Sequence, residues 1–371
     1  MNTTTQNCTT PHSAMNTAKP EPLALFCLTP GGVALARRLQ PHLALACFTS
    51  PALVAPGFHP FEGGLMAHVR RAFTQYPALI IIGATGVAVR AIAPVVQDKF
   101  RDPAVVVIDE QGQHVISLLS GHMGGANALT RQLAGLLGAD PVITTATDVN
   151  QLAALDLLAR QLNARSDHFR HHVKTINQGL VSGQRIGLWW DNATLGQPPE
   201  LDLRGFIPVA DIRNPGALDN LVCITLADTL PACGIPLVKL VPRRVVAGMG
   251  CRRHSDPGTV ERLLRQQLAA NHLDPLALGA ISSIDLKRDE PALMALAQQF
   301  DVPFHTFSAE TLRRYEHQVP GSAFVRQITG VGNVSQTAAW HLCQGDFIGE
   351  PLREQGVTIA LGRLPGVENK C

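Results

Sequence analysis

HVISLLSGHMGGANALTRQLAGLLG, residues 114–138, reads as a strand that runs into a glycine turn and leaves it as a helix. Apolar residues crowd HVISLL (114–119), and ALTRQLAGLLG (128–138) carries leucines at helical spacing up to a glycine stop. Between them, SGHMGGAN (120–127) holds Gly121, Gly124 and Gly125. Glycine lets a backbone approach a ligand closely, and the first N–H groups of the following helix favour an anion. Asn127 is expected to cap that helix. The same spacing also suits a tight turn that only packs helix against strand.

Strands and helices alternate on both sides of this stretch. LALFCLT (23–29) ends at PGG before the helical VALARRL (33–39), and LALACFT (43–49) follows as a second strand. ALIIIG (78–83) is the continuous apolar run of a strand buried on both faces, and ATG (84–86) leads it into a helix over 87–96 that stops near Pro94. AVVVID (104–109) and HVISLL flank the turn EQGQ as a hairpin or adjacent pair, and PVITT (141–145) closes the series. Residues 149–240 read differently, with a helix over 151–162, a polar stretch and short strands near 185–190 and 221–225. From Arg244 the alternation returns through RVVAGMG, LGAISSID, PFHTFS and VTIALG, with helices capped by Asp256 and starting at Asn333.

The fold class is therefore α/β: two open α/β sheet domains covered by helices, joined by a smaller middle domain. The expected divisions are a flexible tail (1–22), an N-terminal α/β domain (23–148), a middle domain or linker (149–240) and a C-terminal α/β domain (241–366). A chain of 371 residues is long enough for two or three cores. With 31 basic against 29 acidic residues it has no cationic surplus for a nucleic-acid backbone. Eight cysteines without a CxxC pair point to reduced thiols in the cytoplasm. No apolar run approaches the roughly 20 residues a membrane span needs.

Candidate chemistry gathers at the turns. Ser120 and His122 sit where the chain leaves the sheet; His122 suits an acid, a base, a hydrogen-bond donor to a carboxylate or a structural histidine. ATG places Thr85 and Gly86 ahead of Arg90, and TATD (145–148) offers Thr145, Thr147 and Asp148. Asp148 suits either catalysis or the N-cap of a helix from Gln151. These three turns are expected to share one sheet edge and converge on one cleft. Arg90, Lys99 and Arg101 with Asp102 form a basic lip or ordinary surface charge. In AGMGCRR, Gly250 and Arg252 suit an acidic ligand, and Asp285, Lys287 and Glu290 suit either the closing of another such loop or a charged helix start. HFRHH (168–172) has helical spacing for a metal but no completing carboxylate or cysteine, so no metal site is assigned. The turn TPGG lacks the third glycine and the acidic partner of a dinucleotide site.

Residues 83–127 and PVITTATDVN resemble the N-terminal domain of the cobalt-precorrin-5A hydrolases, the CbiG family of anaerobic cobalamin biosynthesis. VVAGMGCRRHSD, ISSIDLKRDEPALMALA and GVGNVSQTAA are similar to that family's C-terminal domain, also found alone as CobE-type proteins. The resemblance implies a hydrolase that opens the ring A δ-lactone of cobalt-precorrin-5A and releases acetaldehyde, giving cobalt-precorrin-5B. Cobalt would come with the substrate, and no cofactor is expected. Other enzymes of the pathway are possible partners; a non-catalytic tetrapyrrole carrier is the alternative. Under this reading His122, then Asp148, is the candidate base. The N–H groups of Gly124 and Gly125 would hold the oxyanion, and Arg90 and Arg252 the substrate carboxylates. Thr85, Gly86, Ser120, Gly121, Asn127, Thr145, Thr147 and Gly250 complete the expected binding set.

Overall fold

The computed structural model describes residues 22–366, so the expected tail lies outside the described residues except for Pro22. The chain forms two compact units, Met1–Thr145 and Ala146–Cys371.

The first unit is built on a seven-stranded sheet. Along the chain it runs β1 (Leu23–Cys27), α1 (Pro30–Leu39), β2 (Leu45–Thr49), β3 (Phe58–Pro60), α2 (Leu65–Gln75), β4 (Ala78–Ile82), α3 (Thr85–Ile92), β5 (Ala104–Ile108), β6 (His114–Leu119), α4 (Ala126–Leu137) and β7 (Asp140–Val142). The strand order is β3-β2-β1-β4-β5-β6-β7. β4 and β5 are buried throughout because the sheet is covered on both faces. Ile80 and Ile82 enter one core with Leu35, Leu39 and Leu133. Leu79 and Ile81 enter the other with Val69, Phe73 and Ile92. Thr29 caps α1 by accepting the Gly32 N–H at 3.1 Å.

Strands β1 to β5 are parallel, but β6 returns antiparallel to β5 and β7 runs parallel to β6. Of the two arrangements expected for this pair, a hairpin or adjacent strands, it is the hairpin, and it reverses the polarity of everything after it. The ATG turn therefore lies at the carboxyl edge of β4, whereas SGHMGGAN and the end of β7 lie at the opposite edge. This overturns the expectation that the three turns meet in one cleft. A five-residue strand, roughly 16 Å long, separates the two edges.

The second unit opens with α5 (Ala146–Val149) and α6 (Leu155–Gln161) rather than one helix over 151–162. Gln151 has φ 55°, and the N–H groups of Leu152 and Ala153 go to the carbonyls of Thr147 and Arg204, so no helix starts there. Asp148 is thus a residue of α5 and caps no helix from Gln151. The middle segment folds as β8 (Ala164–Arg165), α7 (Phe169–Val181), β9 (Ile186–Trp190), α8 (Asn192–Leu195), β10 (Phe206–Val209), β11 (Asn220–Ile224) and β12 (Leu237–Pro242). Its strands form a five-stranded sheet in the order β10-β9-β11-β12-β8.

The last segment comprises β13 (Val245–Cys251), α9 (Pro257–Ala270), β14 (Leu278–Ile284), α10 (Pro291–Phe300), β15 (Phe304–Phe307), α11 (Ala309–Arg313), α12 (Ala323–Thr329), α13 (Val334–Cys343), β16 (Phe347–Glu354) and β17 (Val357–Arg363). The sheet order is β15-β14-β13-β17-β16. As expected, Asp256 caps α9; Asn333, expected to begin a helix, is the N-cap of α13, which starts one residue later. The hairpin partner β16 had no clear sequence signal: FIGEPLRE mixes charges with Gly349 and Pro351, and its ladder shifts register between Ile348 and Leu352.

α13 packs on β13 at van der Waals limits. A Cβ at Gly248 would stand 2.0 Å from the Ser335 carbonyl oxygen and 2.7 Å from the Ala339 nitrogen. Both obstacles are backbone, so a larger residue must push the helix off the sheet. Gly248→Ala is expected to cost about 3 kcal/mol or more, read as a lower urea midpoint at an unchanged slope.

Candidate active site

The SGHMGGAN turn is held largely by its own backbone. The N–H of Gly125 donates to the His122 carbonyl at 3.0 Å, that of Ala126 to Ser120 at 3.1 Å and that of Asn127 to Gly121 at 3.0 Å. Gly125, with φ 88°, is the N-cap of α4 in the left-handed region, where glycine carries no Cβ penalty. Asn127 is therefore not the cap but the second residue of the helix.

Asn127 has a different task. It is 3% exposed, its Oδ1 accepts the Ser117 hydroxyl at 2.6 Å, and its Nδ2 donates to Thr145 Oγ1 at 2.9 Å. It thereby ties the end of β6, the start of α4 and the segment after β7 into one block. Of the expected set, the structure brings together Ser120, Gly121, His122, Gly124, Gly125, Asn127 and Thr145.

The glycines also have packing reasons. A Cβ on Gly124 would stand 2.5 Å from Ser120 Cβ and 2.9 Å from its carbonyl oxygen; one on Gly121 would meet Asn127 Oδ1 at 2.7 Å. Gly125's N–H is spent on His122, which removes it as an oxyanion donor. Among the described residues no acceptor is recorded for the Gly124 N–H. Ser120 adopts φ 57°, rare for a residue with a side chain, and its buried Oγ has no hydrogen-bond partner. His122 is half-buried in the turn.

A groove of about 520 Å³ adjoins this turn at the amino-terminal edge of β4 and β5. Phe73, Tyr76, Phe100, Arg101, Met123 and Gly124 line it. The aromatic members carried no signal as site residues, because Phe73 and Tyr76 come from α2 and its end and Phe100 from the loop before β5, and only the fold brings these segments together. A smaller cavity of about 120 Å³ in the second unit includes Trp190 and Arg244. Arg244 is already committed there to the carbonyls of Leu195 and Leu364.

Thr85, Gly86 and Arg90 occupy the other edge of the first sheet. Arg90 is exposed and folds back on its own helix, donating to the Gly86 carbonyl at 3.3 Å. In the second unit, Thr147 is buried on α5, and the field of Asp148 on the same helix adds to the raised pKa of Arg204, whose principal partner is Asp202. Gly250 and Arg252 lie at the end of β13, against the β16–β17 hairpin: the Arg252 N–H donates to the Gly356 carbonyl at 3.2 Å. Glu290 braces this loop, accepting the His254 N–H at 3.0 Å and pairing with Lys287 at 2.8 Å. Burial pushes the nearby Cys251 thiol up, with Lys287 pulling the other way. In HFRHH, His168 precedes α7 in the left-handed region, and His172 Nδ1 is 2.8 Å from Ser166 Oγ. Burial, then the neighbouring His171 and His168, lowers the His172 pKa.

Three family descriptions match the chain in order: "Cobalamin synthesis G N-terminal" over residues 67–148, "Cobalamin biosynthesis central region" over 153–238, and "Cobalamin synthesis G C-terminus" over 245–362. The chain is 62% identical over 348 residues to the cobalt-precorrin-5A hydrolase of Salmonella typhimurium, covering 94% of this chain and 99% of that protein. It is 32% identical over 314 residues to the cobalt-precorrin-5A hydrolase of Priestia megaterium, covering 82% and 83%. Protein CobE of Sinorhizobium sp. is 33% identical over 96 residues, 26% of this chain and 62% of that protein.

Replacing Asn127 by alanine strands two hydroxyls and opens the block that positions the turn. It is expected to cost about 1–3 kcal/mol, seen as a lower melting temperature; an unchanged melt would show that the Ser117 and Thr145 contacts carry no net stability.

Proposed function

The chain belongs to the CbiG family of cobalamin-synthesis proteins, and from that premise we propose that it is a cobalt-precorrin-5A hydrolase. The observation that carries this is the 62% identity to such a hydrolase along 99% of that protein's length. The reaction consumes water. Hydroxide adds to the ring A lactone carbonyl, the acyl C–O bond breaks, and the departing oxygen takes a proton to leave a carboxylic acid and an alcohol. The alcohol then loses its proton as its carbon becomes a carbonyl. The carbon–carbon bond to the macrocycle breaks with its electron pair left on the ring, which takes up a proton, and acetaldehyde departs. No step needs a redox partner, and the cobalt is the substrate's.

His122 is the proposed base. It stands in the turn that borders the groove, next in sequence to Met123 and Gly124, which line it. The Gly124 N–H is the proposed oxyanion donor, and Ser120, whose hydroxyl is buried, is proposed to shape the turn; backbone strain of this kind is kept where surrounding structure over-determines it. Thr147, Asp148, Gly250 and Arg252 are proposed substrate contacts of the second unit taken by itself, and Thr85, Gly86 and Arg90 are proposed contacts at the opposite edge of the first sheet, not members of the site at this turn. A cytoplasmic location is proposed with the free thiols of Cys27, Cys47, Cys223 and Cys343 in support, and other enzymes of the pathway are proposed partners. Among the described residues no helix is long and apolar enough to cross a membrane.

Purified protein given cobalt-precorrin-5A should release acetaldehyde stoichiometrically; binding without release would make it a carrier instead. His122→Ala is expected to slow release on the order of a hundredfold or more with the fold intact, and near-normal turnover would remove His122 from the mechanism.

A further inference from the structure

We propose that the loop over residues 97–103 receives a carboxylate-bearing side arm of the tetrapyrrole, with Arg101 as its binding residue; this rests on the hydrolase reading above. The groove beside the SGHMGGAN turn, about 520 Å³, is too small for a whole macrocycle and suits one pyrrole edge with its substituents. Its walls combine Phe73, Tyr76, Phe100 and Met123 with two ionisable side chains of opposite sign, Arg101 and Asp102. Such a lining matches a flat apolar ring that carries acetate and propionate arms.

The two charges have different fates. Asp102 is buried at 7% exposure, and its carboxylate accepts the Gln97 N–H at 3.0 Å and the Asp98 N–H at 2.9 Å. Its charge is spent on the loop's own backbone. Asp98 Oδ1 in turn accepts the Phe100 N–H at 3.0 Å, and the Arg101 and Asp102 N–H groups both return to the Asp98 carbonyl. The Lys99 ammonium lies 5.0 Å from the Phe100 ring centroid. Arg101 is exposed, and among the described residues its guanidinium has no hydrogen bond or ion pair. The loop is thus a braced turn that presents one uncommitted, fork-shaped donor at an apolar groove. A guanidinium in that position pairs with a carboxylate through two parallel N–H···O bonds. Asp102 acts through this loop as a positioning residue, and Arg101 touches the substrate.

The test compares wild type, Arg101→Ala and Arg101→Lys as full-length protein with cobalt-precorrin-5A. Acetaldehyde release is measured for turnover, and the absorbance change of the macrocycle for binding. Arg101→Ala should raise KM and the dissociation constant by about tenfold while kcat stays within a factor of about two, because the contact is made equally in ground and transition states. Arg101→Lys should recover part of the loss. The melting temperature of Arg101→Ala should stay at the wild-type value, since the side chain is exposed and braces nothing. Unchanged binding in Arg101→Ala overturns the proposal even if wild type turns over, as does a kcat loss without a binding loss. Wild type that binds without releasing acetaldehyde overturns the hydrolase reading alone, because the absorbance titration still measures the Arg101 contact.

Discussion

The antiparallel pairing of β6 on β5 governs the geometry of the first unit. Val106 opposes Ser117, Val107 opposes Ile116 and Ile108 opposes Val115. Asp109 closes the connecting turn, its carboxylate accepting the Gln111 N–H at 2.9 Å. Burial alone would raise the pKa of Asp109, but N–H donors from His114, Gln113 and Gln111 hold it below the usual carboxylate range. The hairpin sends the chain back toward the amino-terminal edge of the parallel strands. Whatever follows β6 must therefore be delivered beside the starts of β4 and β5, and this is where His122, Gly124 and the groove meet.

Delivery alone does not make a site. The turn is kept in shape by a buried amide, by carbonyls that consume most of the N–H groups at the head of α4, and by glycines chosen as much for closeness as for freedom. A helix N-terminus whose first donors are already taken is a weak anion trap. What the turn offers the groove is sparse: Met123 and Gly124 line it, with the half-buried His122 beside them in sequence. The same economy governs the braced loop opposite, where buried Asp102 satisfies the backbone and leaves the adjacent arginine uncommitted.

In the second unit, close approach does the corresponding work. α13 lies on β13 so tightly that only glycine fits at residue 248. The loop after β13 is braced by Glu290, which accepts the His254 N–H and pairs with Lys287, so charges read in the sequence as closing a loop do hold one. Lys239 and Asp274 form another ion pair with little solvent access within this unit, joining the strand β12 to the residue that caps the turn before β14.

Residue order alone settled the nature of most elements, though not the break between α5 and α6 or the strand β16. Continuous apolar runs such as ALIII and AVVVI name buried strands, glycine and proline punctuate them, and Asp256 and Asn333 announce helices, because these signals arise from contacts within a few residues along the chain. The extended match of SGHMGGAN and its flanks to known relatives carried the family. Only the tertiary structure decided which turns share an edge, that Asn127 bridges rather than caps, that Gly125 has no donor to spare, and that Phe73, Tyr76, Phe100 and Met123 form one wall. Those facts depend on the direction in which a distant strand pairs and on which backbone groups find each other across the fold, and neither is encoded in the spacing of residues along the chain.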